Sequence, residues 1–244
     1  MTPENSIEKA KRSVRERIWA ELERSEASRF PGAQGRIPNF VGAEAAADKL
    51  ASTKEWKAAR VIKANPDSPQ LPVRVRALAE GKLLYMAVPK LAKQEPFLEL
   101  NPDRLKTEPR RVASIKGAGR HGKPVKAEDM DRIDLVVCGT VATNRKGVRV
   151  GKGGGYSDLE FALLTEVGLI TEDTTLATTV HDLQVLDEDL PETDHDFRVH
   201  RIATPAEILR TGRYARKPRG ILWEELAEAK ISSIPVLARL AEQR

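Results

Sequence analysis

Gly147-Val148-Arg149-Val150-Gly151-Lys152-Gly153-Gly154-Gly155-Tyr156-Ser157-Asp158 is the stretch on which the fold and its function turn. It lies between an apolar run, Ile133-Asp134-Leu135-Val136-Val137-Cys138, that reads as a buried strand, and Leu159 to Val167, which reads as a helix. From Gly151 to Gly155, four glycines in five positions permit positive φ and close backbone approach, so that successive N–H groups form a nest for an anion. Ser157 and Glu160 stand at capping-box spacing, which predicts a helix start here with its amide dipoles aimed at the loop. A helix N-terminus contributes only about 0.3 to 1 kcal/mol when exposed. A polyphosphate guest therefore also needs fixed cations, and Arg149 and Lys152 supply two. Neither common nucleotide motif fits: G-x-G-x-x-G would need glycine at position 156, and no Gly-Lys is followed by Ser or Thr. As bare pattern the run also reads as an unliganded turn. Asp158 reads either as a first-turn acid favoured by the dipole or as a magnesium ligand beside a triphosphate.

Outward from this loop, helical and extended patterns alternate. Ile7, Ala10, Val14, Ile18 and Leu22 step by three or four and predict one apolar stripe on a helix from about Ser6 to Glu26. Lys11 and Arg15, four apart on one flank, read as a joint grip on an anion or as two solvated cations. After a Pro/Gly-rich connection, Pro31 to Pro38, helical stretches run from about Val41 to Leu50 and Thr53 to Arg60, leading into a short strand, Val61 to Ala64. Leu71 to Glu80 reads as a helix closed by Gly81, Leu83 to Val88 as a strand, Thr174 to Val180 and Val199 to Ala203 as further strands. Between Asn101 and Lys126 the rhythm lapses into a basic loop. Alternation of this kind predicts an α/β fold, a mainly parallel sheet with helices on both faces, in a single domain spanning residues 1–244.

The 244 residues are 40 % hydrophobic, well above a disordered composition. No apolar run approaches the roughly 20 residues needed to span a bilayer, and Met1 to Arg17 has no signal-peptide core, so no membrane association and a cytoplasmic location are expected. The lone Cys138 and four scattered histidines exclude a disulfide framework and a cysteine zinc cluster. His121, His181 and His195 read as hydrogen-bonded structural residues, Cys138, Trp56 and Trp223 as core. Net charge is only +5, yet Asp103 to Lys126 carries eight basic residues (Arg104, Lys106, Arg110, Arg111, Lys116, Arg120, Lys123, Lys126) against two acids. No aromatic side chain is interleaved for base stacking, so this stretch reads as a solvated loop or the edge of a nucleotide site before it reads as a nucleic-acid surface. Arg213 to Arg219 reads as a solvated basic connection.

Asp134-Leu135-Val136-Val137, followed by G-x-R-x-G-x-G-x-G-Y-x-D, resembles the signature of the 5-formyltetrahydrofolate cyclo-ligase family. Ala10-Lys11-Arg12-Ser13-Val14-Arg15 resembles that family's N-terminal helix, and Asp194-His195-Asp196-Phe197-Arg198-Val199 its acid-bearing C-terminal segment. Arg36-Ile37-Pro38-Asn39-Phe40, Asp158-Leu159-Glu160 and Val180-His181-Asp182-Leu183-Gln184-Val185 are similar, nearly verbatim, to the branch of methenyltetrahydrofolate synthase domain-containing proteins. The resemblance implies a Rossmann-like three-layer α/β/α fold and an ATP- and Mg²⁺-dependent cyclisation of 5-formyltetrahydrofolate to 5,10-methenyltetrahydrofolate. In that reaction the formyl oxygen attacks the γ-phosphate, and N10 then closes the ring with loss of phosphate. It implies that Lys11, Arg15 and Arg149 neutralise the ATP phosphates and that the backbone of Gly151, Lys152, Gly153, Gly154 and Gly155 cradles them. Asp158 and Asp196 would hold Mg²⁺, and Tyr156 would lie against the pterin or the transferred phosphate. Arg149, Lys152 and Tyr156 are then the catalytic set, without a side-chain nucleophile.

The departures are local. Ser157 stands where the family's loop has a second tyrosine, Cys138-Gly139 where Pro-Gly is usual, Ala142-Thr143 where Phe-Asp is usual. Arg36 to Leu50, with Phe40 and Glu44, stands in place of the segment that usually supplies a substrate-binding acid and nearby aromatics, and neither residue is assigned to the pterin. The phosphate half of the pattern is kept better than the half that would bind a reduced folate. The alternatives are an ATP-dependent enzyme acting on another small heterocycle, and a non-catalytic nucleotide- or RNA-binding homologue using Arg104 to Lys126.

Overall fold

The structure is a computed structural model that describes residues 3–212 and 218–244. In chain order its helices are α1 (Pro3–Arg24), α2 (Ala43–Ala51), α3 (Lys54–Ala58), α4 (Leu71–Ala79), α5 (Pro109–Val112), α6 (Ile115–His121), α7 (Tyr156–Glu166), α8 (Glu228–Ser233) and α9 (Pro235–Glu242). The strands are β1 (Val61–Ala64), β2 (Leu83–Ala87), β3 (Phe97–Leu100), β4 (Lys123–Val125), β5 (Leu135–Cys138), β6 (Ala142–Asn144), β7 (Arg149–Val150), β8 (Thr175–Thr179), β9 (Val185–Leu186), β10 (Arg201–Ala203) and β11 (Ile208–Arg210). No helix among the described residues is long and apolar enough to cross a membrane.

Eight strands form one sheet in the order β11-β10-β8-β5-β1-β2-β3-β4. The five central strands, β10 to β2, are parallel; β11 on one edge and β3 with β4 on the other are antiparallel. Leu-Val-Val-Cys of β5 is buried throughout, the continuous apolar run that a strand covered on both faces requires. Its side chains alternate. Val136 and Cys138 join the core under α7 and α9, with Leu159, Phe161, Val236 and Leu237. Leu135 and Val137 face the opposite core, with Leu50 of α2 and Val73 and Leu78 of α4. Helices on both faces give the three-layer α/β/α architecture expected from the alternation.

A smaller sheet, β7-β6-β9, receives α1, whose Val14, Ile18, Trp19 and Leu22 pack with Val141, Ala142, Val148 and Val150. The apolar stripe is shorter than the periodicity implied, because Ala10 is exposed. Toward the N-terminus the buried face is continued by Lys11 and Arg15, so these cations are not solvated.

Three other expectations are corrected. Residues 101–126 are not a loop: β4 extends the sheet and α5 and α6 pack Val112 and Ala118 against it. Gly117 and Gly119 weaken the helical signal there, yet a Cβ at Gly117 would lie 1.8 Å from the Arg111 carbonyl oxygen. The capping box does not form. Gly155, at φ 65°, is the N-cap of α7 without a side-chain cap, and Glu160 is drawn into the interior by Lys63. Trp223 sits half-buried in a short 3-10 turn, Trp223–Glu225, rather than in the core. Of the basic connection Arg213 to Arg219, residues 213–217 lie outside the described residues.

Candidate active site

β1 has β2 on one side and β5 on the other, so successive crossovers leave it in opposite directions. Open α/β sheets bind ligands at the carboxyl ends of the strands at such a switch point. A cavity of about 880 Å³ opens there, lined by Asn65 and Asp67 after β1, Val88 to Lys90 after β2 and Gly139 after β5. The glycine loop, the start of α7, one flank of α1, the Thr193–Asp196 segment and the chain after Pro218 complete the wall.

All eleven predicted site residues line this one cavity: Lys11, Arg15, Arg149, Gly151, Lys152, Gly153, Gly154, Gly155, Tyr156, Asp158 and Asp196. They come from three distant parts of the chain. Arg149, 2 % exposed, donates through Nη1 to the Gly139 carbonyl oxygen (3.0 Å) and through Nη2 to Asp158, and lies 4.4 Å over the Phe197 ring. Its Nε, also buried, has no hydrogen-bond partner. Burial alone would lower its pKa, but the Asp158 carboxylate more than offsets this and raises it above the ordinary arginine value. Arg149 is therefore a permanently charged, fixed cation. Lys11 Nζ lies 2.5 Å from Asp196 Oδ2, which also accepts from the Thr193 N–H (2.6 Å) and hydroxyl (3.0 Å). Arg15 donates from Nε to the Gly151 carbonyl oxygen and from Nη1 to Glu8, both at 2.8 Å. Lys152, by contrast, is half exposed, with Asp67 3.5 Å away.

The loop is shaped by positive φ at Gly153 (102°) and Gly155 (65°), values that only glycine adopts without strain. A Cβ at Gly153 would also sit 3.2 Å from the Arg15 Cζ. Beneath the loop, Lys63 on β1 pairs with Glu160 of α7 and donates to Asn65 Oδ1 (2.7 Å), while Asn65 Nδ2 donates to the Ser157 hydroxyl (3.1 Å). This chain of contacts ties the first turn of α7 to the central strand. Burial pushes the Glu160 carboxyl up, against the opposing pull of Lys63. Behind Asp67, buried Arg74 donates to the carbonyl oxygens of Asn65 (2.5 Å), Asp67 (3.0 Å) and Ala113 (2.8 Å). Its burial lowers its pKa to about 10, against the attraction of Asp67, so it remains charged at neutrality.

Sequence reasoning missed Glu8, Lys63, Asn65, Asp67, Arg74 and Lys230. Lys63 had a usable signal, a lysine inside an otherwise apolar strand; Lys230, on the short helix α8, had none. Of the histidines, His195 Nε2 lies 2.8 Å from Glu225 at the cavity edge. His181 accepts through Nδ1 from the Leu183 N–H, the structural role expected. The basic side chains of 104–126 are absent from the described cavity wall, to which that segment gives only Ile115.

The cavity at the switch point of this doubly covered sheet thus brings buried cations to a glycine loop at a helix start. Residues 7–205 match the model of the 5-formyltetrahydrofolate cyclo-ligase family, and the chain belongs to that family. Methenyltetrahydrofolate synthase domain-containing protein of Mus musculus is 39 % identical over 240 residues, covering 96 % of this chain and 64 % of the relative. Its Homo sapiens counterpart is 34 % identical over 236 residues, covering 95 % and 61 %. The chain thus spans about three fifths of the length of these curated relatives. Among solved structures, the 5,10-methenyltetrahydrofolate synthetase of Aquifex aeolicus superposes with a TM-score of 0.50 at 20 % identity, covering 84 % of this chain and 96 % of that one. That likeness establishes the shared α/β fold.

Proposed function

We propose that this chain closes 5-formyltetrahydrofolate to 5,10-methenyltetrahydrofolate at the expense of ATP. The observation that carries the reading is the convergence of Lys11, Arg15, Arg149 and the Gly151 to Gly155 backbone on one end of the switch-point cavity. Phosphoryl transfer asks a protein mainly for positioning and for charge placed where negative charge develops. Arg149, locked between Gly139, Asp158 and Phe197, is such a preplaced charge. Lys152 is free to follow the terminal phosphate. The loop N–H groups and the start of α7 hold the remaining oxygens. The substrate's formyl oxygen is the nucleophile toward the γ-phosphorus, and N10 then closes the ring as phosphate leaves. Tyr156 offers its ring or hydroxyl at the junction.

Among the described residues no group of three or more His, Cys, Asp or Glu side chains clusters as a metal cage. Asp158 and Asp196 still fit magnesium, which characteristically takes one or two carboxylates and completes its shell with water and phosphate oxygens. They would hold it, and it would supply charge neutralisation between phosphate oxygens. Arg149 holds Asp158 through Oδ1 and Lys11 holds Asp196 through Oδ2, so the second oxygen of each carboxylate would be the one offered to the metal.

A second reading, an ATP-dependent enzyme acting on another small heterocycle, is favoured by one observation. Tyr156 is the sole Phe, Tyr or Trp on the described cavity wall, and Ser157 turns its hydroxyl to Asn65 instead of providing a second ring. The test is the absorbance of methenyltetrahydrofolate when purified protein meets 5-formyltetrahydrofolate, ATP and Mg²⁺, with ATP-free and Asp158→Ala controls. The cyclo-ligase reading predicts product only with ATP and intact Asp158. Absence of product from protein that binds ATP but not folate selects the second reading.

A further inference from the structure

The residues after 205 lie outside the family-matched span, yet Pro218, Gly220, Ile221, Leu222, Glu225, Leu226, Ala227 and Lys230 form one wall of the cavity. That wall brings a cation to the glycine loop. Lys230 Nζ lies 5.6 Å from the centre of the Tyr156 ring, and a Cβ built on Gly155 would stand 3.1 Å from it. The ammonium therefore sits over the first residues of α7.

Its surroundings make this placement unusual. Four basic groups at the loop each have a carboxylate: Lys11 has Asp196, Arg15 has Glu8, Arg149 has Asp158 and Lys152 has Asp67. Lys230 has no ion-pair partner among the described residues. It also stands at the N-terminal end of an 11-residue helix, where the macrodipole favours an anion and disfavours a cation. Tyr156 gives partial compensation through its ring face. An uncompensated cation beside exposed loop N–H groups is the arrangement an incoming anion stabilises.

We propose that Lys230, carried by the C-terminal segment, is a polyphosphate-binding residue of this cavity, at the Gly155 end of the glycine loop. The inference rests on the reading of that loop as a phosphate site and adds to it a residue from outside the matched span. Contact with the anion draws the ammonium off the Tyr156 ring, so that Lys230 and Tyr156 report on the same event.

The test is calorimetric titration of the full chain with inorganic triphosphate and, separately, with ATP, for the wild type, Lys230→Met, Lys230→Arg and Lys57→Met. Lys57 lies outside the cavity lining and controls for overall charge. Loss of one charge-assisted hydrogen bond predicts roughly tenfold weaker binding of both ligands to Lys230→Met, recovery in Lys230→Arg and no change in Lys57→Met. Unfolding midpoints equal to wild type identify the effect as one on binding. Wild-type binding retained unchanged in Lys230→Met overturns the role of Lys230 while leaving the phosphate site standing. An effect on ATP but not on inorganic triphosphate overturns it too, because the contact would then be to the nucleoside. Failure of the wild type to bind either ligand removes the phosphate-site reading itself.

Discussion

The charged and the apolar parts of the cavity wall are built on different principles. Around the glycine loop three cations, Lys11, Arg15 and Arg149, are buried and each is held by a carboxylate, so their geometry exists before any ligand arrives. Elsewhere the wall carries Ile37, Val88, Ile115, Leu222 and Leu226, apolar groups that shape space without dictating orientation. The difference teaches that the charged part is preorganised by ion pairs, whereas the apolar part defines space by shape alone.

The sharpest way to break this contrast is Arg149→Met. It removes the fixed charge and leaves Asp158 unpaired, and the expected loss is about 10²- to 10³-fold in ATP-dependent turnover, with about 3 to 5 kcal/mol of stability. Steady-state kinetics and urea unfolding check both. Retained turnover would mean that the buried cations are only structural.

A second test separates support from chemistry. Lys63→Met alone strands Glu160 in the interior and should cost about 3 to 5 kcal/mol, whereas Lys63→Met with Glu160→Leu should restore most of it, because an apolar pair of similar volume replaces a buried ion pair with little penalty. ATP affinity measured on the double variant then shows whether the Lys63-Asn65-Ser157 chain also positions the loop; the account expects weaker binding even where stability has recovered.

Much of the loop end was legible in the sequence because its requirements are local. Positive φ at Gly153 and Gly155 demands glycine, and Lys11 and Arg15 share a helix flank by spacing alone. Alternating helices and apolar strands likewise disclosed the parallel sheet. What escaped reading depends on tertiary partners. Glu160, three residues after Ser157, has the spacing of a cap, but a lysine 97 positions away takes it inward. Lys230 is one solvated-looking cation among many until α8 folds against Tyr156. The apolar part of the wall had no signature because Val88, Ile115 and Leu222 come to one cavity only through the fold, and α6 was hidden by two glycines, of which Gly117 is required by its close approach to the Arg111 carbonyl of α5.

Lys152→Ala sharpens the comparison from the exposed side. Its half-exposed side chain and long approach to Asp67 make it dispensable for folding, so the account expects unchanged stability and a roughly five- to tenfold higher ATP requirement. Unchanged ATP kinetics would remove Lys152 from the catalytic set.

The smallest effect lies outside the cavity, at His181. Burial lowers its pKa below the ordinary 6.5, with Asp182 opposing, and its neutral Nδ1 caps the turn at Leu183. The unfolded chain binds the proton more readily, so the stability contributed is present above about pH 6.5 and is lost as pH falls through the lower folded value. Unfolding midpoints of the wild type should decline on acidification through that window. His181→Asn, which keeps a cap acceptor, should remove that part of the slope and leave ATP binding untouched.

The measurement that bears most directly on the central claim is a crystal structure with a non-hydrolysable ATP analogue. The account predicts phosphate density on the backbone of Gly151 to Gly155, within reach of Arg149 and Lys11, at the carboxyl ends of β1 and β5. Phosphates bound elsewhere, or a loop holding no ligand while the analogue lies only against the apolar part of the wall, would contradict it.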